Sequence, residues 1–357
     1  MTDAAQGAFA IDHDDLILVT GATGFIGSRV LPALMAQGFH NLRCFSRPSS
    51  DPAKVKALSA ARQTGARVEV FTGNLLSRED CTAATKGVKL IFHLAAGTDE
   101  KSFAGAFMNS VVTTRNLLEA SLRHQCLRRI VSVSSLAVYT NMDKPRWRLL
   151  DETCPVETHP EQRGDSYCFA KVRQDDLVAE YGARFGIPYV IVRPGYVYGP
   201  GKHAITGRVG IDTFGVFLHL GASNTLPLTY VDNCAEAIVL AGLKSETTGE
   251  VFNVVDDDLP SSRRFLRLYK RHVTRFRSLY VPHWASYTLC YLWELYWRWS
   301  DGQLPLAFNR RKWHVYWKKT RYSNKKLKTL TGWTPRVPTA EGLMRYFEGC
   351  RSGGYDA

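Results

Sequence analysis

The stretch DLILVTGATGFIGSRVLPALMAQG, residues 15–38, decides the fold of this chain. It begins with a short apolar run rich in β-branched residues, which is typical of a strand buried on both faces. Its second half has apolar residues at helical spacing and ends at Gly38, which predicts a helix. Between the strand and the helix stand three glycines, at positions 21, 24 and 27.

This glycine turn indicates a site for a phosphate group. A chain that reverses directly after a strand brings its backbone N–H groups close to a bound pyrophosphate, and the next helix must pack tightly on the sheet. Each requirement excludes a Cβ. The helix, which we expect to begin near Gly24, also directs the positive end of its dipole at the phosphates. The order strand, glycines, helix therefore predicts a nucleotide-binding turn.

Strands alternate with helices along the first half of the chain. The expected strands are 15–20, 42–46, 67–73, 90–96, 129–135 and 188–194, and the expected helices are 52–64, 77–86, 104–125 and 166–185. The alternation predicts right-handed βαβ units and hence an α/β fold with a doubly wound parallel sheet.

The composition is that of a folded protein with an uneven charge distribution. The 357 residues are 45% hydrophobic and 22% charged, with a net charge of +13 at pH 7. Between Arg263 and Lys328 there are 17 Lys and Arg against Glu294 and Asp301, a net of +15, so the rest of the chain carries −2. The C-terminal third therefore attracts whatever anionic partner the protein has.

The N-terminal residues and the cysteines point to the cytoplasm. MTDAAQGAFAIDHDD contains four Asp and no basic segment followed by an apolar one, which argues against a secretory signal. The eight cysteines lack the spacing of a zinc site or a disulfide framework, and the histidines show no metal spacing. We therefore expect reduced cysteines that pack in the core, and no metal.

Further motifs follow the glycine turn in a fixed order. They are GNLLSRED (73–80), FHLAAG (92–97), VSSLAVY (133–139), YCFAK (167–171), VRPGYVYGPG (192–201), YVDNCAEAI (230–238), GEVFNVV (249–255) and RYSNKKLKTLTGWTP (321–335). With them the chain resembles the extended short-chain dehydrogenase/reductase family, also called the NAD-dependent epimerase/dehydratase family. The resemblance implies an NAD(P)-binding Rossmann domain, residues 12–197 plus 231–256, and a smaller, mostly helical substrate domain, residues 198–230 plus 257–350.

The resemblance also implies a catalytic set of Ser135, Tyr167 and Lys171, with Ser134 as the alternative serine. Tyr167 and Lys171 stand at i and i+4, on one face of the expected helix. An ammonium beside a phenol lowers the pKa of the phenol, so Tyr167 would exchange a proton with the substrate hydroxyl while a hydride moves to or from the nicotinamide. Ser135 would hydrogen-bond the same oxygen.

The dinucleotide site follows from the same resemblance. Its expected residues are Gly21, Thr23, Gly24, Phe25, Ile26, Gly27, Ser46, Arg47, Asn74, Leu75, Leu94, Ala95, Ala96, Tyr167, Lys171, Pro194 and Val197. An acid at the end of the second strand would accept from a ribose 2′-hydroxyl, whereas this strand ends in Ser46 and is followed by Arg47. Since an arginine pairs with a 2′-phosphate, the sequence favours NADP(H) over NAD(H). Asn74 stands where the family usually has Asp, and its carbonyl oxygen still accepts from adenine.

Three features of the sequence concern the pocket that we expect beside the cofactor. When the helix is aligned with the family pattern on RNLLEA, Ser110 stands where the family has an Asn, and Asn109 precedes it. This substitution leaves open whether a proton relay or a helix bulge forms there. His93 is interpreted as a core imidazole rather than a pocket residue. Residues 140–165 are a polar insertion, interpreted either as a cover over the active site or as a surface loop.

The substrate is constrained by one departure from the family pattern. VRPGYVYGPG has Tyr196 where nucleotide-sugar members have an Asn that contacts the sugar nucleotide, which favours the reductase and 3β-hydroxysteroid-dehydrogenase-like branch. We therefore expect hydride transfer between NADP(H) and a ketone or secondary alcohol on a bulky apolar or lipid-like substrate. The alternatives are a nucleotide-sugar epimerase or dehydratase with the same Ser/Tyr/Lys set, and a cofactor-sensing protein that has lost catalysis.

Residues 281–300, VPHWASYTLCYLWELYWRWS, are aromatic in nearly every direction of a helical wheel. The segment is too short, and too interrupted by Pro282 and Glu294, for a membrane span. Trp and Tyr flanked by arginines suit peripheral contact with an anionic membrane surface. The sequence equally allows a buried substrate-domain helix or a homodimer surface. No motif supports nucleic-acid binding, so the expected partner is a small-molecule substrate of a cytoplasmic protein, with membrane association left open.

Overall fold

A computed structural model describes residues 9–60, 65–98, 100–142, 145, 147–213, 215–301, 303 and 308–352. Its centre is a sheet of seven parallel strands. Side by side, these strands are β12 (Val251–Val254), β7 (Tyr189–Pro194), β5 (Arg129–Val133), β4 (Val88–His93), β1 (Leu16–Thr20), β2 (Asn41–Ser46) and β3 (Arg67–Thr72). The strand order reverses between β1 and β4, and a ligand crevice opens at the carboxyl ends of parallel strands at such a point.

Helices cover both faces of this sheet. Along β1, Ile17 and Val19 belong to one buried cluster and Leu18 to another, as expected for a strand whose alternate side chains point to opposite faces. The first cluster includes α1 (Gly27–Ala36) and α7 (Val231–Leu243). The second includes α3 (Arg78–Thr85), α5 (Thr113–His124) and α6 (Ser166–Phe185). The doubly wound α/β fold expected from the sequence is confirmed.

The remaining elements lie between these or follow them. The helices are α2 (Pro52–Ala60), α4 (Phe103–Ala106), α8 (Ser262–His272), α9 (His283–Trp299), α10 (Arg310–Tyr316), α11 (Lys325–Thr331) and α12 (Thr339–Ser352), with short 3₁₀ turns at Leu136–Val138, Pro160–Arg163 and Ser245–Thr247. The strands pair as β6 (Leu149–Leu150) with β14 (Arg321–Tyr322), β8 (Tyr196–Tyr198) with β11 (Leu228–Tyr230), and β10 (Val216–His219) with β9 (Gly210–Thr213) and β13 (Ser278–Tyr280).

The last part of the chain returns to the central sheet. Leu327 of α11 and Trp333 are fully buried in the same cluster as α1 and α7. Trp333 Nε1 donates to the carbonyl oxygen of Asn233 on α7, at 3.2 Å, and Asn233 Oδ1 accepts from the backbone of Val337, at 3.0 Å. The C-terminal helical region is therefore joined to the core that contains the seven-stranded sheet.

The expected elements differ from the observed ones mainly at their ends. Helix α1 begins at Gly27, one turn later than expected, because Gly24 is still part of the turn. The helix expected over 52–64 is observed to residue 60, and 61–64 lie outside the described residues. The helix expected over 104–125 is interrupted by a π-helical turn, Phe107–Val112. All eight cysteines are free, as expected, and all but Cys126 are buried.

Candidate active site

The glycine turn closes against the end of the neighbouring strand. Gly21 has a φ of 71°, and a Cβ there would lie 2.9 Å from the backbone nitrogen of Ala95. A Cβ on Gly27 would overlap the carbonyl oxygen of Gly21. These two positions therefore require glycine, one for its backbone conformation and close approach, the other for close packing of α1 on the turn.

The start of α1 suits a phosphate group. Ile26, the residue before the helix, makes no side-chain cap, and the first turn contains no acidic residue. The positive end of the helix dipole is thus not neutralised by the chain itself. The cradle that a Cβ would fill and the uncapped helix end together fit the pyrophosphate of a dinucleotide.

Ser135 and Tyr167 meet at the carboxyl edge of the sheet. Ser135 follows β5, and its Oγ accepts from the backbone N–H of Ala137, at 3.1 Å. Its proton is therefore free to be donated, and the Ser135 side chain lies near enough to the Tyr167 hydroxyl to favour the ionised form of the phenol. Tyr167 lies in the first turn of α6, which Asp165 caps by accepting from Cys168 N at 3.2 Å. Two of the three expected catalytic groups thus lie close to each other at this edge.

The pKa of Tyr167 differs from the expected one. Desolvation by the surrounding protein raises it to about 12, and the hydrogen bond from Ser135 opposes that rise. The expected lowering by the Lys171 ammonium is wrong for this arrangement, because the ammonium is directed elsewhere. With a pKa raised in this way, Tyr167 keeps its proton at neutral pH.

Lys171 lies one helical turn beyond Tyr167, and its side chain is buried. Its Nζ donates to the carbonyl oxygen of Val133, at 2.6 Å, and to Oε1 of Gln174, at 2.9 Å. Desolvation lowers the pKa of Lys171 to about 8. An ammonium has three N–H donors, so one is left for a ligand hydroxyl. That donor fits the role that the family resemblance gives this lysine, contact with the nicotinamide ribose.

A buried hydrogen-bond chain continues from Lys171 to β4 and β1. Gln174 Nε2 donates to Thr114 Oγ1, at 2.8 Å, and Thr114 Oγ1 lies 2.9 Å from Nε2 of His93. Since Thr114 gives its proton to the carbonyl oxygen of Ser110, at 2.6 Å, Nε2 of His93 must be the donor. His93 Nδ1 then accepts from Thr20 Oγ1, at 2.7 Å.

His93 is therefore a core imidazole, as expected, although its partners are threonine hydroxyls rather than backbone. It is fully buried, and desolvation, followed by the Lys171 charge, lowers its pKa to about 3. The hydroxyl of Thr20 also accepts from the backbone of Ala95, at 3.3 Å. The chain thus connects the lysine to the end of β4, where the cofactor residues Leu94, Ala95 and Ala96 are expected.

The end of β2 holds no acidic group. Ser46, the last residue of β2, is buried, and its hydroxyl lies 3.5 Å from the carbonyl oxygen of Arg47. Arg47 is exposed, and no ion pair within the described ranges involves it. The next acid, Asp51, is used to accept from Ala53 N at the start of α2.

The other expected cofactor residues lie at or after the carboxyl ends of β1, β3, β4 and β7. Asn74 Oδ1 accepts from the backbone of Leu76, at 3.0 Å, so one of its lone pairs is used in a local turn. Leu75 is buried, and its carbonyl oxygen accepts from Asn116. The half-buried residues of the set are Thr23, Phe25, Ile26, Leu94, Ala95, Ala96 and Val197, and Pro194 is buried at the end of β7.

The helix bulge left open by the sequence is present without the family's Asn. It is the π-helical turn Phe107–Val112, within which Ser110 Oγ accepts from the backbone of Gly97, at 3.1 Å. The neighbouring Asn109 donates to Glu100 Oε1, at 2.6 Å. The bulge therefore positions the loop after β4, and Ser110 takes a structural part in it.

The insertion 140–165 is packed against the site through Arg163. The buried Arg163 donates to the carbonyl oxygens of Ala137 and Tyr139, just after Ser135. Asn309, before α10, donates to the carbonyl oxygen of Arg163, at 2.7 Å. Arg163 is therefore part of the packed structure beside Ser135, whereas other described residues of the insertion, such as Thr153 and Glu161, are exposed.

Sequence reasoning missed Gln174 and Thr114. Gln174 stands three residues after Lys171, on the same helical face, which is a signal that periodicity could have given. Thr114 lies on α5 and reaches the site only because α5 and α6 pack side by side, so no local pattern indicates it.

Comparisons with known proteins agree with this geometry. Residues 17–254 match the model of the NAD dependent epimerase/dehydratase family. A 4-hydroxy-2-methyl-3-oxo-4-farnesyl-3,4-dihydroquinoline-1-oxide ketoreductase of Stigmatella aurantiaca is 26% identical over 329 residues, 91% of this chain and 93% of the relative. A 3-beta-hydroxysteroid dehydrogenase of Mycolicibacterium neoaurum is 27% identical over 237 residues, 63% of this chain and 60% of the dehydrogenase.

A solved structure shows the same fold. UDP-glucuronic acid 4-epimerase from Bacillus cereus, in complex with NAD, superposes with a TM-score of 0.69 at 22% identity, covering 94% of this chain and 99% of the epimerase chain.

Proposed function

The chain belongs to the NAD-dependent epimerase/dehydratase family and is an NAD(P)-dependent enzyme of the extended short-chain dehydrogenase/reductase type, and we propose that it reduces a ketone on a bulky apolar or lipid-like substrate with NADPH. The reaction is R₂C=O + NADPH + H⁺ ⇌ R₂CHOH + NADP⁺. The observation that carries the proposal is the placement of Ser135, Tyr167 and Lys171 together at the carboxyl edge of the sheet, with Ser135 after β5 and the other two one helical turn apart on α6.

Each catalytic group has one role in the proposed reaction. When bound, the nicotinamide supplies the hydride to the carbonyl carbon. Tyr167 donates its proton to the carbonyl oxygen, a role that suits a phenol whose pKa lies at about 12. Ser135 donates a hydrogen bond to the same oxygen and fixes its position. Lys171 holds a ribose hydroxyl through its third N–H.

The dinucleotide would lie across the crevice between β1 and β4. Gly21, Gly24 and Gly27, with Thr23, Phe25 and Ile26, would hold the pyrophosphate, and Asn74 and Leu75 the adenine. The remaining contacts would come from Leu94, Ala95, Ala96, Pro194 and Val197. The acid-free end of β2 supports NADP(H), because Arg47 is free to pair with a 2′-phosphate.

Two observations support an apolar substrate. Tyr196 stands where nucleotide-sugar enzymes have an Asn, and its hydroxyl is used to donate to the carbonyl oxygen of Ala204, at 3.0 Å. The Stigmatella relative is named for a farnesylated ketone substrate, and its similarity extends over nearly the whole chain. A nucleotide-sugar epimerase or dehydratase with the same three residues is the competing function.

We propose that the protein acts in the cytoplasm on a small-molecule substrate and that it does not bind nucleic acid. The Rossmann unit is proposed to comprise residues 12–197 and 231–256, and the substrate unit 198–230 and 257–350. A homodimer competes with a membrane surface as the partner of the exposed face of α9.

The test is a product assay on the purified protein with NADPH or NADH and a panel of apolar ketones and sugar nucleotides. Net oxidation of NADPH with a ketone, lost by about 10²-fold or more in Tyr167→Phe, is the expected result. An altered sugar with no net change in cofactor would instead establish the epimerase. Tyr167→Phe that turns over at the wild-type rate would remove the mechanism.

A further inference from the structure

The outer face of α9 presents large apolar side chains to solvent. Trp284, in its first turn, is 72% exposed, and Trp299, its last residue, is 81% exposed. Between them, the large apolar and aromatic residues exposed by more than a third are Leu289, Tyr291, Leu292, Leu295 and Tyr296. An apolar row of this length on one helix face indicates an interaction surface.

The opposite side of α9 is fixed to the protein. Ser286 and Cys290 are buried, and Ser286 Oγ accepts from Trp313 Nε1 on α10, at 2.9 Å. Glu294 pairs with Arg310, whose Nε lies 2.9 Å from Oε2. Because these contacts hold the helix in one rotation about its axis, the aromatic face cannot turn inward without breaking them.

The apolar surface continues onto β13, immediately before α9. Leu279 is 59% exposed and Tyr280 47%. The guanidinium of Arg263, on α8, lies 5.8 Å from the ring centre of Tyr280, and Lys270 donates to Ser278 Oγ at 2.6 Å. The basic helix α8 therefore borders the apolar surface directly.

The segment that forms this border carries only positive charge. The sequence contains no acidic residue from Arg263 to Trp293. The exposed cations of this segment are Arg263, Arg264, Arg267, Arg271, Arg275 and Arg277. The first acid that follows, Glu294, is paired with Arg310. We name the exposed residues from Arg263 to Trp299, which include those of α8, β13 and α9, the basic–aromatic surface.

The positive charge of this surface distinguishes between its two candidate partners, a second copy of the chain and an anionic membrane. A two-fold dimer would place the same patch on both sides of the interface, so these arginines would face their own copies with no acid to pair with. A bilayer that contains anionic lipid offers negative headgroups to the arginines and an apolar interior to the leucines, and tryptophan and tyrosine favour the boundary between them.

We propose that the basic–aromatic surface docks this protein on the face of an anionic membrane, with α9 lying in the headgroup region parallel to the bilayer plane. No helix in the described part of the chain is long and apolar enough to cross a membrane, so α9 binds at the interface. The proposal is independent of the reaction proposed above, because lipid binding is measured without substrate or cofactor.

The experiment is vesicle co-sedimentation of the full chain, with vesicles of phosphatidylcholine alone or mixed with phosphatidylserine. Binding to the mixed vesicles that weakens as salt is added is the expected result. Absence of binding to either kind of vesicle would overturn the proposal.

Two variants and two matched controls test which surface binds. Trp284→Ser with Trp299→Ser should weaken partitioning about tenfold or more, because the apolar contact is lost. Arg267→Gln, one charge fewer, should weaken it about fivefold. Phe185→Ser and Arg123→Gln alter an exposed aromatic and an exposed cation elsewhere and should leave binding unchanged. Equal weakening by the controls would overturn the proposal.

The oligomeric state separates membrane from self-association. Sedimentation velocity of the free protein should give the same mass for the wild type and for the double tryptophan variant. A wild-type dimer that becomes monomeric in that variant, without vesicle binding, would assign the surface to a second copy and overturn the proposal.

Discussion

The ammonium of Lys171 donates to the side-chain carbonyl of Gln174, with Nζ and Oε1 2.9 Å apart. The other end of the Gln174 amide is held by Thr114, and Thr114 by His93, so the position of the lysine is set by side chains from three elements. A buried network whose members are all satisfied holds its geometry well.

Gln174→Met keeps the length of the side chain and removes the acceptor. The ammonium is then less well stabilised, so the pKa of Lys171 should fall below about 8. The alkaline limb of the pH profile of kcat/KM should move down by about one unit, since hydrogen bonds to charged groups are worth about 1.5–3 kcal/mol. Gln174→Glu should move the limb upward, because a carboxylate stabilises the ammonium. Asp176→Asn, on the exposed side of α6, is the control, and identical profiles in all variants would exclude this role.

Arg47→Ala tests the cofactor preference. If Arg47 pairs with a 2′-phosphate, its loss should raise the Kd for NADPH about tenfold and leave the Kd for NADH within about twofold. Ser46→Asp should act in the same direction, since its carboxylate repels a phosphate and accepts from a 2′-hydroxyl. Isothermal titration with both dinucleotides measures the two constants, and Arg123→Ala is the exposed control. Equal weakening of both ligands would refute the pairing.

Gly27→Ala tests the close packing of α1 on the turn. The added Cβ meets a backbone carbonyl that cannot move aside, so the free energy of unfolding should fall by about 1–3 kcal/mol and dinucleotide binding should be lost. Urea unfolding and titration measure both. Gly207→Ala is the control, since a Cβ there would lie 3.9 Å from its nearest neighbour, a ring carbon of Tyr316. A fully stable, ligand-binding Gly27→Ala would show that the turn is not constrained.

His93 should make the protein acid-sensitive. In the folded state the pKa of His93 is lowered to about 3, whereas the ordinary value is 6.5. Between these two pH values the unfolded chain binds a proton on His93 that the folded protein does not. The contribution of His93 is fully present above pH 6.5 and is lost as the pH falls toward 3. Between about pH 7 and about pH 5 the free energy of unfolding should fall by about 2 kcal/mol more in the wild type than in His93→Gln. Urea unfolding at both pH values checks this, and parallel losses in the two proteins would contradict it.

Much of the nucleotide-binding half could be predicted from local patterns. The strand–glycine–helix order, the alternation of elements and the serine and Y-x-x-x-K motifs all arise from constraints within a few residues, and the sheet and its helices appear where they indicate. The start of α1 and the π-helical turn could not be predicted, because they depend on how the turn packs against the residues after β4.

The electrostatics of the site could not be predicted from spacing. The i, i+4 relation places Lys171 beside Tyr167 along the helix, but it does not say which acceptors compete for the ammonium. Those acceptors, Val133 and Gln174, come from the strand and the helix around it. Burial then raises the pKa of Tyr167 where spacing alone predicts a lower one.

The contact of Trp333 with α7 has a consequence for biosynthesis. A chain leaving the ribosome has all seven strands of the sheet once residue 254 has emerged, yet the part of α7 that Leu327 and Trp333 cover stays exposed until these two residues arrive. The domain that contains the sheet therefore remains incompletely packed while about eighty further residues are translated. Holdase chaperones would bind the incomplete domain during that interval. A chain truncated anywhere before Trp333 should be degraded by proteases.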